Sequence, residues 1–149
     1  MWNVYDKWWN YFKDGVIYME FARFRALSKS DKEWVYGYYV KSADTNLIYS
    51  NPQIYTNFGD CVDVHENTLG QYTGKIDYNS TEIFEEDIVQ NSKTGTKAIV
   101  QYFPEHSAFM LWIRDENINQ IEYLGEILTS ELEVIGNIYE NPELMWKDV

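Results

Sequence analysis

Residues 97–113 read KAIVQYFPEHSAFMLWI. Two apolar runs rich in β-branched and aromatic residues flank the polar, proline-containing stretch Phe103-Pro104-Glu105-His106-Ser107. That pattern predicts an antiparallel hairpin, since such side chains suit a pleated, half-buried surface. Working outward, NSKTGTK before Lys97 reads as a loop with Gly95 near its tip, and IVQ before that begins another strand. After Ile113 comes the polar RDENINQ, then IEYLGEIL, which fits a strand or a turn of helix. LEVIGNIYE is a strong strand. Asn141-Pro142 then opens a one-turn helix, with Asn141 as N-cap and Pro142 at the first helical position. Towards the N-terminus, EIF, CVDV, QIYTNF, NLIYS and WVYGYYVKS are short strands separated by turns. Gly37 within WVYGYYV marks a bulge or a close backbone approach. VIYMEFARFRAL reads as one long strand or two joined ones.

Composition agrees. The 149 residues include thirteen Tyr, seven Phe and six Trp. A chain of this size can bury a core without disulfides or metal. Short strands at about ten-residue spacing suggest a small barrel or sandwich. The first segment differs: Trp2, Tyr5, Trp8, Trp9 and Phe12 recur at three- and four-residue spacings, a helical stripe that Asp14-Gly15 would stop. Its tryptophans suit docking on the body, self-association or a partner. Met19 offers an alternative start, which would make residues 1–18 an extension.

The net charge is −12. Met1–Val64 carries eight acids and seven bases, whereas His65–Val149 carries sixteen acids and five bases. The second part therefore repels phosphate backbones, and direct nucleic-acid binding is not expected. An acidic face instead attracts a basic protein surface or keeps the chain dispersed. No apolar run approaches the roughly twenty residues of a membrane span, and the N-terminus lacks the basic and apolar regions of a secretory signal. The lone Cys61 forms no internal disulfide, which fits a reducing cytoplasm. It reads as a packed core thiol; a pairing with His65, four residues on in a strand-like run, is the weaker alternative.

The acids Glu82, Glu85, Glu86 and Asp87 could in principle ligate a hard cation, but the Gly- and Asn-punctuated spacing of a calcium loop is missing. Consecutive acids on an extended chain also point to alternate sides. They read as a solvated turn, with no metal expected. His106 reads as a loop residue without an orienting partner. Gly70-Gln-Tyr-Thr-Gly74 has no Lys and no following helix, so it is not a phosphate loop. No cofactor and no catalytic residue is expected. Trp8, Trp9, Trp34, Tyr36, Glu82, Glu85, Glu86 and Asp87 are the candidate partner-binding residues.

Three segments resemble the YopX family, small proteins of bacteriophages and prophage regions. They are Phe24-Arg25-Ala26 with Trp34-Val35-Tyr36-Gly37, the stretch GQYTGKIDYNSTEIFEEDIV at residues 70–89, and VIGNIYENPEL at Val134–Leu144. The resemblance implies a mainly β chain, with a β-rich region over 19–66 followed by an SH3-like β-barrel over 67–149. The extension over 1–18 with its short N-terminal helix is read from the spacing above and has no counterpart in the family pattern. It implies residence in the cytoplasm of a bacterial host. It carries no reaction and no catalytic residues. Leu27 stands where the family has Trp, and Glu86 where it has the Gly of EGD; at Glu86 the turn is expected to relax into a conformation that a glutamate accepts. The function expected is that of a non-enzymatic binding protein engaging a host protein, for instance a defence or nucleic-acid-binding protein, through an acidic, aromatic-edged surface. The alternatives are an oligomer sequestering a nucleotide or signalling metabolite, and a phage assembly factor self-associating through its Trp-rich N-terminus.

Overall fold

The computed structural model describes residues 12–13, 16–17, 23–41, 51–115 and 118–146. Among these there is no α-helix, only four short 3-10 turns, and the chain is mainly β. The strands are β1 (Phe12–Lys13), β2 (Val16–Ile17), β3 (Phe24–Leu27), β4 (Trp34–Val40), β5 (Gln53–Thr56), β6 (Cys61–Asp63), β7 (Gly70–Ile76), β8 (Glu82–Phe84), β9 (Asp87–Asn91), β10 (Lys97–Phe103), β11 (Ala108–Asp115), β12 (Ile118–Tyr123) and β13 (Leu132–Asn137). Of the helix expected near the N-terminus, only its end is described, and that end is extended: Phe12 pairs with Ile17 and Lys13 with Val16. The intervening Asp14-Gly15 has the composition of a two-residue hairpin turn, which the helical stripe had disguised as a stop. Trp2, Tyr5, Trp8 and Trp9 lie outside the described residues.

Two larger sheets, both antiparallel, hold the rest. One has the order β6-β5-β4-β3-β7-β8 and the other β12-β11-β10-β9-β13. The β10–β11 hairpin forms a six-pair ladder, running from Ala98 opposite Ile113 to Phe103 opposite Ala108. Pro104–Ser107 forms its turn, as the sequence pattern requires. The five-stranded sheet is open, with β12 and β13 as its edges. On one face it buries Val89, Ala98, Val100, Leu111, Ile113 and Leu132. Alternation puts Ile88, Ile99 and Met110 on the opposite face, and these too are buried. This explains why β9 and β10 read as continuous apolar runs.

The six-stranded sheet curls on itself. Ser28, just after β3, bridges Val64, just after β6. Lys29 N donates to Asp63 O at 2.9 Å and His65 N to Leu27 O at 2.8 Å. Ala26, Ile54 and Val64 form the core of the curl. Gly37 allows it: a Cβ there would sit 2.1 Å from the Tyr55 carbonyl oxygen across the ladder, so the close approach read from the sequence is present. Cys61 is not the packed thiol expected. It lies exposed on the edge strand β6, its Sγ donating to Gln53 Oε1 at 3.2 Å. The apolar alternation of CVDV puts Val62 inward and so turns Cys61 out. The 3-10 turn Pro142–Leu144 begins at the proline, but Asn141 does not cap it. Its side-chain oxygen accepts from Asn137 N at 3.3 Å instead. No helix among the described residues is long and apolar enough to cross a membrane.

Candidate functional site: the joint between the sheets

Arg25 lies mid-strand in β3, opposite Tyr36 of β4 and Gly70 of β7. Its guanidinium crosses from the six-stranded sheet to the start of the five-stranded one. There Nη2 donates to Asp87 Oδ1 at 2.5 Å. The pair is internal: Arg25 is 6% exposed and Asp87 1%. Two rings cover the cation, with its central carbon 4.5 Å from the Trp34 ring centroid and 5.0 Å from that of Phe84. A desolvated cation–π contact contributes about 2 kcal/mol, which offsets part of the cost of removing the charges from water. Asp87 also holds its own turn, because Oδ2 accepts from Phe84 N at 2.7 Å. Burial still outweighs the attraction of Arg25 and pushes the Asp87 carboxyl up to about 6. Arg25 Nε is buried without a hydrogen-bond partner among the described residues.

The neighbouring acids are equally constrained. Glu85 spans both sheets: Oε1 accepts from Tyr102 N of β10 at 3.2 Å and Oε2 from Gln71 N of β7 at 3.3 Å. Its backbone oxygen presses on Gly70, where a Cβ would lie 2.7 Å away. Glu86 has φ 66°. The turn has therefore not relaxed as expected. Its peptide groups are fixed from both sides, N donating to Val100 O at 2.7 Å and O accepting from Ile138 N at 3.1 Å, so the glutamate adopts the left-handed conformation. Burial, and then the charge of Glu85, raise its carboxyl above the usual range, while Gln101 and Arg25 oppose the shift. One carboxylate oxygen of Glu86 is buried without a hydrogen-bond partner among the described residues.

The chain after β13 closes the joint. Asn137 Oδ1 accepts from Tyr139 N and Glu140 N, each at 3.0 Å. Glu140 Oε2 accepts from Asn137 Nδ2 at 2.6 Å and from Trp34 Nε1 at 2.9 Å; these bonds hold its carboxyl below the usual range. Tyr139 packs on Trp34 with ring centroids 6.0 Å apart, and its hydroxyl donates to Asn67 O at 2.9 Å. Burial, and then the charge of Glu86, push that phenol up to about 12. A second tie runs nearby. Buried Asp77 accepts from Asn79 N and Thr81 N, each at 2.8 Å, and from Val134 N at 3.0 Å.

Five of the eight candidate residues, Trp34, Tyr36, Glu85, Glu86 and Asp87, thus gather around Arg25, and Trp8 and Trp9 lie outside the described residues. Asp87 and Glu85 face inward, occupied by Arg25 and by backbone amides. Glu82 pairs with Arg23, which also stacks over Tyr72. Tyr36 is 47% exposed, with one edge on Phe84. The solvated turn read from EED is instead an internal fastening, because the acids alternate between two sheets that both need their backbone amides satisfied. Sequence reasoning missed Arg25 as the centre, and with it Asn137, Tyr139 and Glu140. The one available signal was a basic residue inside the strand-like FRAL together with an acid at the onset of DIV. His106 lies exposed in the β10–β11 turn, Nδ1 3.0 Å from the Tyr123 hydroxyl. Among the described residues no three His, Cys, Asp or Glu side chains gather as a metal site.

These features define a class: a mainly β chain of two antiparallel sheets, fastened by a buried Arg–Asp pair under aromatic rings. The three segments that build the fastening are FRAL with WVYG, GQYTG through EEDIV, and VIGNIYEN. The family described as YopX protein matches residues 23–146, and the chain belongs to it. No curated protein matches the chain.

Proposed function

We propose that this is a phage-encoded, non-enzymatic binding protein that acts in the cytoplasm of a bacterial host. It occupies a host protein with a basic surface, of the kind found on defence or nucleic-acid-binding proteins. The observation that supports this reading is the charge of the last described segment: residues 118–146 contain six acids and no Lys, Arg or His. Among the ion pairs of the described residues only one, Lys93 with Glu131, involves that segment. Its field is therefore largely uncompensated and favours approach of a cationic partner. At the joint the outward members, Tyr36, Trp34 and Glu140, give that surface its aromatic edge. Glu85 and Asp87 act from beneath, holding the two sheets in register.

The finer fold reading belongs to the same proposal. Residues 67–149 form an SH3-like unit in which β7 and β8 complete the five-stranded sheet. The bonds from Tyr78 N to Leu132 O at 3.1 Å and from Glu86 N to Val100 O support it. Self-association through Trp8 and Trp9 remains part of the proposal.

The test is affinity purification from the bacterial host, with and without infection, using the full chain and the exposed-acid variant Glu105→Gln/Glu126→Gln/Glu143→Gln. Wild type is expected to retain a basic host protein that salt elutes, and the variant to retain several-fold less. Equal capture with equal salt dependence would sink the electrostatic reading.

A further inference from the structure

The core of the five-stranded sheet is not completely filled. A cavity of about 190 Å³ opens where the β9–β10 loop meets the start of β13. Its floor is apolar: Val89, Ala98, Leu111, Ile113 and Leu132, with Ile127 at one side. Asn91, Thr94 and Thr96 form a polar wall, and Glu122 completes the lining. The position of Glu122 follows from register. It lies opposite Leu111 in the β11–β12 ladder, so it occupies the core side of the edge strand. Its neighbours Ile121 and Tyr123 face outward, and both are exposed. The usual pattern of apolar inside and polar outside is thus inverted along β12, with a carboxylate at the mouth of an apolar hole.

Size limits the occupant. Pockets for drug-sized ligands start at roughly 300 Å³, whereas an apolar cavity of about 150 Å³ takes one benzene ring. This cavity fits a single ring or branched alkyl group. Charge limits it further. Glu122, Glu126 and Glu131 come from the base-free segment, and among the described residues only Glu131 of these is in an ion pair. Leu128, 66% exposed, extends the apolar surface in the connection between β12 and β13.

We propose that this cavity is the anchor site for one phenylalanine or leucine side chain of the basic partner, with a lysine or arginine beside it meeting Glu122. The inference rests on the reading of the chain as a binder of basic proteins and gives that reading its central contact. A buried anchor side chain in a desolvated pocket, with a polar rim, is a common energetic centre of protein interfaces.

The experiment is a methyl NMR titration of the full chain with three capped tripeptides, Lys-Phe-Lys, Lys-Ala-Lys and Glu-Phe-Glu. Lys-Phe-Lys is expected to shift the methyls of Val89, Leu111, Ile113, Ile127 and Leu132 in a saturable way. Lys-Ala-Lys is expected to bind at least about tenfold more weakly, since the Phe ring buries most of the apolar area, and Glu-Phe-Glu to leave these methyls unmoved. Glu122→Gln should weaken Lys-Phe-Lys several-fold, and Ala98→Leu, which fills the hole, should abolish the shifts. Equal binding of Lys-Ala-Lys, shifts mapping elsewhere, or no shifts would overturn the proposal. So would phenethylamine binding as tightly as Lys-Phe-Lys, which would make the hole a small-molecule site. An inward charge on an edge strand also guards against edge pairing; in that case Glu122→Gln would promote association without changing peptide affinity, and the anchor would fall. The two readings fail separately. Salt-sensitive capture of a host protein without cavity shifts leaves the acidic surface and removes the anchor. Cavity shifts with salt-insensitive capture do the reverse.

Discussion

Glu86 is one of four non-glycine residues with a left-handed backbone among the described residues. Its φ of 66° is a conformation that costs an L-residue about 1–2 kcal/mol and a glycine almost nothing. The turn cannot escape, because Val100 O of β10 and Ile138 N just after β13 grip its peptide groups. The side chain adds a buried oxygen without a hydrogen-bond partner among the described residues. Both disadvantages vanish in Glu86→Gly, and the extra freedom of the unfolded glycine chain offsets only part of the gain. The expected outcome is a stabilisation of about 1 kcal/mol, read as a higher urea midpoint at unchanged slope. A lower midpoint would mean that the Gln101 contact to this carboxyl outweighs the backbone strain.

At the scale of elements, the close packing of β7 on the turn after β8 sets how the sheets meet. Gly70 has no room for a side chain, since its Cβ would stand 2.7 Å from a backbone oxygen that cannot rotate away. Gly70→Ala should therefore cost about 1–3 kcal/mol through forced backbone displacement. Gly125→Ala, with nothing within 4 Å, should change stability by less than about 0.5 kcal/mol; equal losses in thermal denaturation would discard the explanation. The same contrast marks what the sequence made legible. The β10–β11 hairpin, the loop at Gly95 and β13 could be read because their signals are local. The joint could not. Arg25 and Asp87 are 62 residues apart, Trp34 and Glu140 are 106 apart, and nothing in the alternation of FRAL or the acids of EED says which side chains will share an interior. The sequence reading gathered Trp34, Tyr36 and the four acids as outward-facing residues, and most of them meet for the opposite reason. The lining of the cavity was invisible too, because an acid on the inner side of β12 breaks the rule by which the inner side is recognised.

The whole molecule carries a net charge of −12 and keeps two carboxyls inside its joint. This combination fixes the sign of its response to pH. Asp87 titrates near 6 in the folded chain against an ordinary value of 3.8, so between those values the folded state holds a proton that the unfolded state has released. Stability then falls as pH rises through that window, by roughly 2–3 kcal/mol if the shift is fully expressed. Glu86, also raised, acts in the same direction, as does relief of general repulsion when acids protonate. Asp31, Glu66 and Glu140 are lowered; their contribution is present above the ordinary carboxylate values and is lost as pH drops below them. The two groups together place the maximum between about pH 4 and 5, below neutrality. Urea unfolding at pH 7.5, 6, 5, 4.5 and 3.5 should show the midpoint still rising from pH 7.5 to 5 and lower again by pH 3.5. In Arg25→Met/Asp87→Leu the joint keeps its bulk and loses the Asp87 titration, while Glu86 still titrates. Replacing a buried pair by apolar groups is often neutral or favourable, but Phe84 N also loses its acceptor. That variant should therefore lie within about 1–3 kcal/mol of wild type at pH 7.5 and gain less on acidification. A wild-type midpoint that falls steadily from pH 7.5 to 5 would show that Arg25 holds the Asp87 charge more firmly than burial opposes it, and that the joint is fastened by the ion pair itself rather than by the rings packed around it.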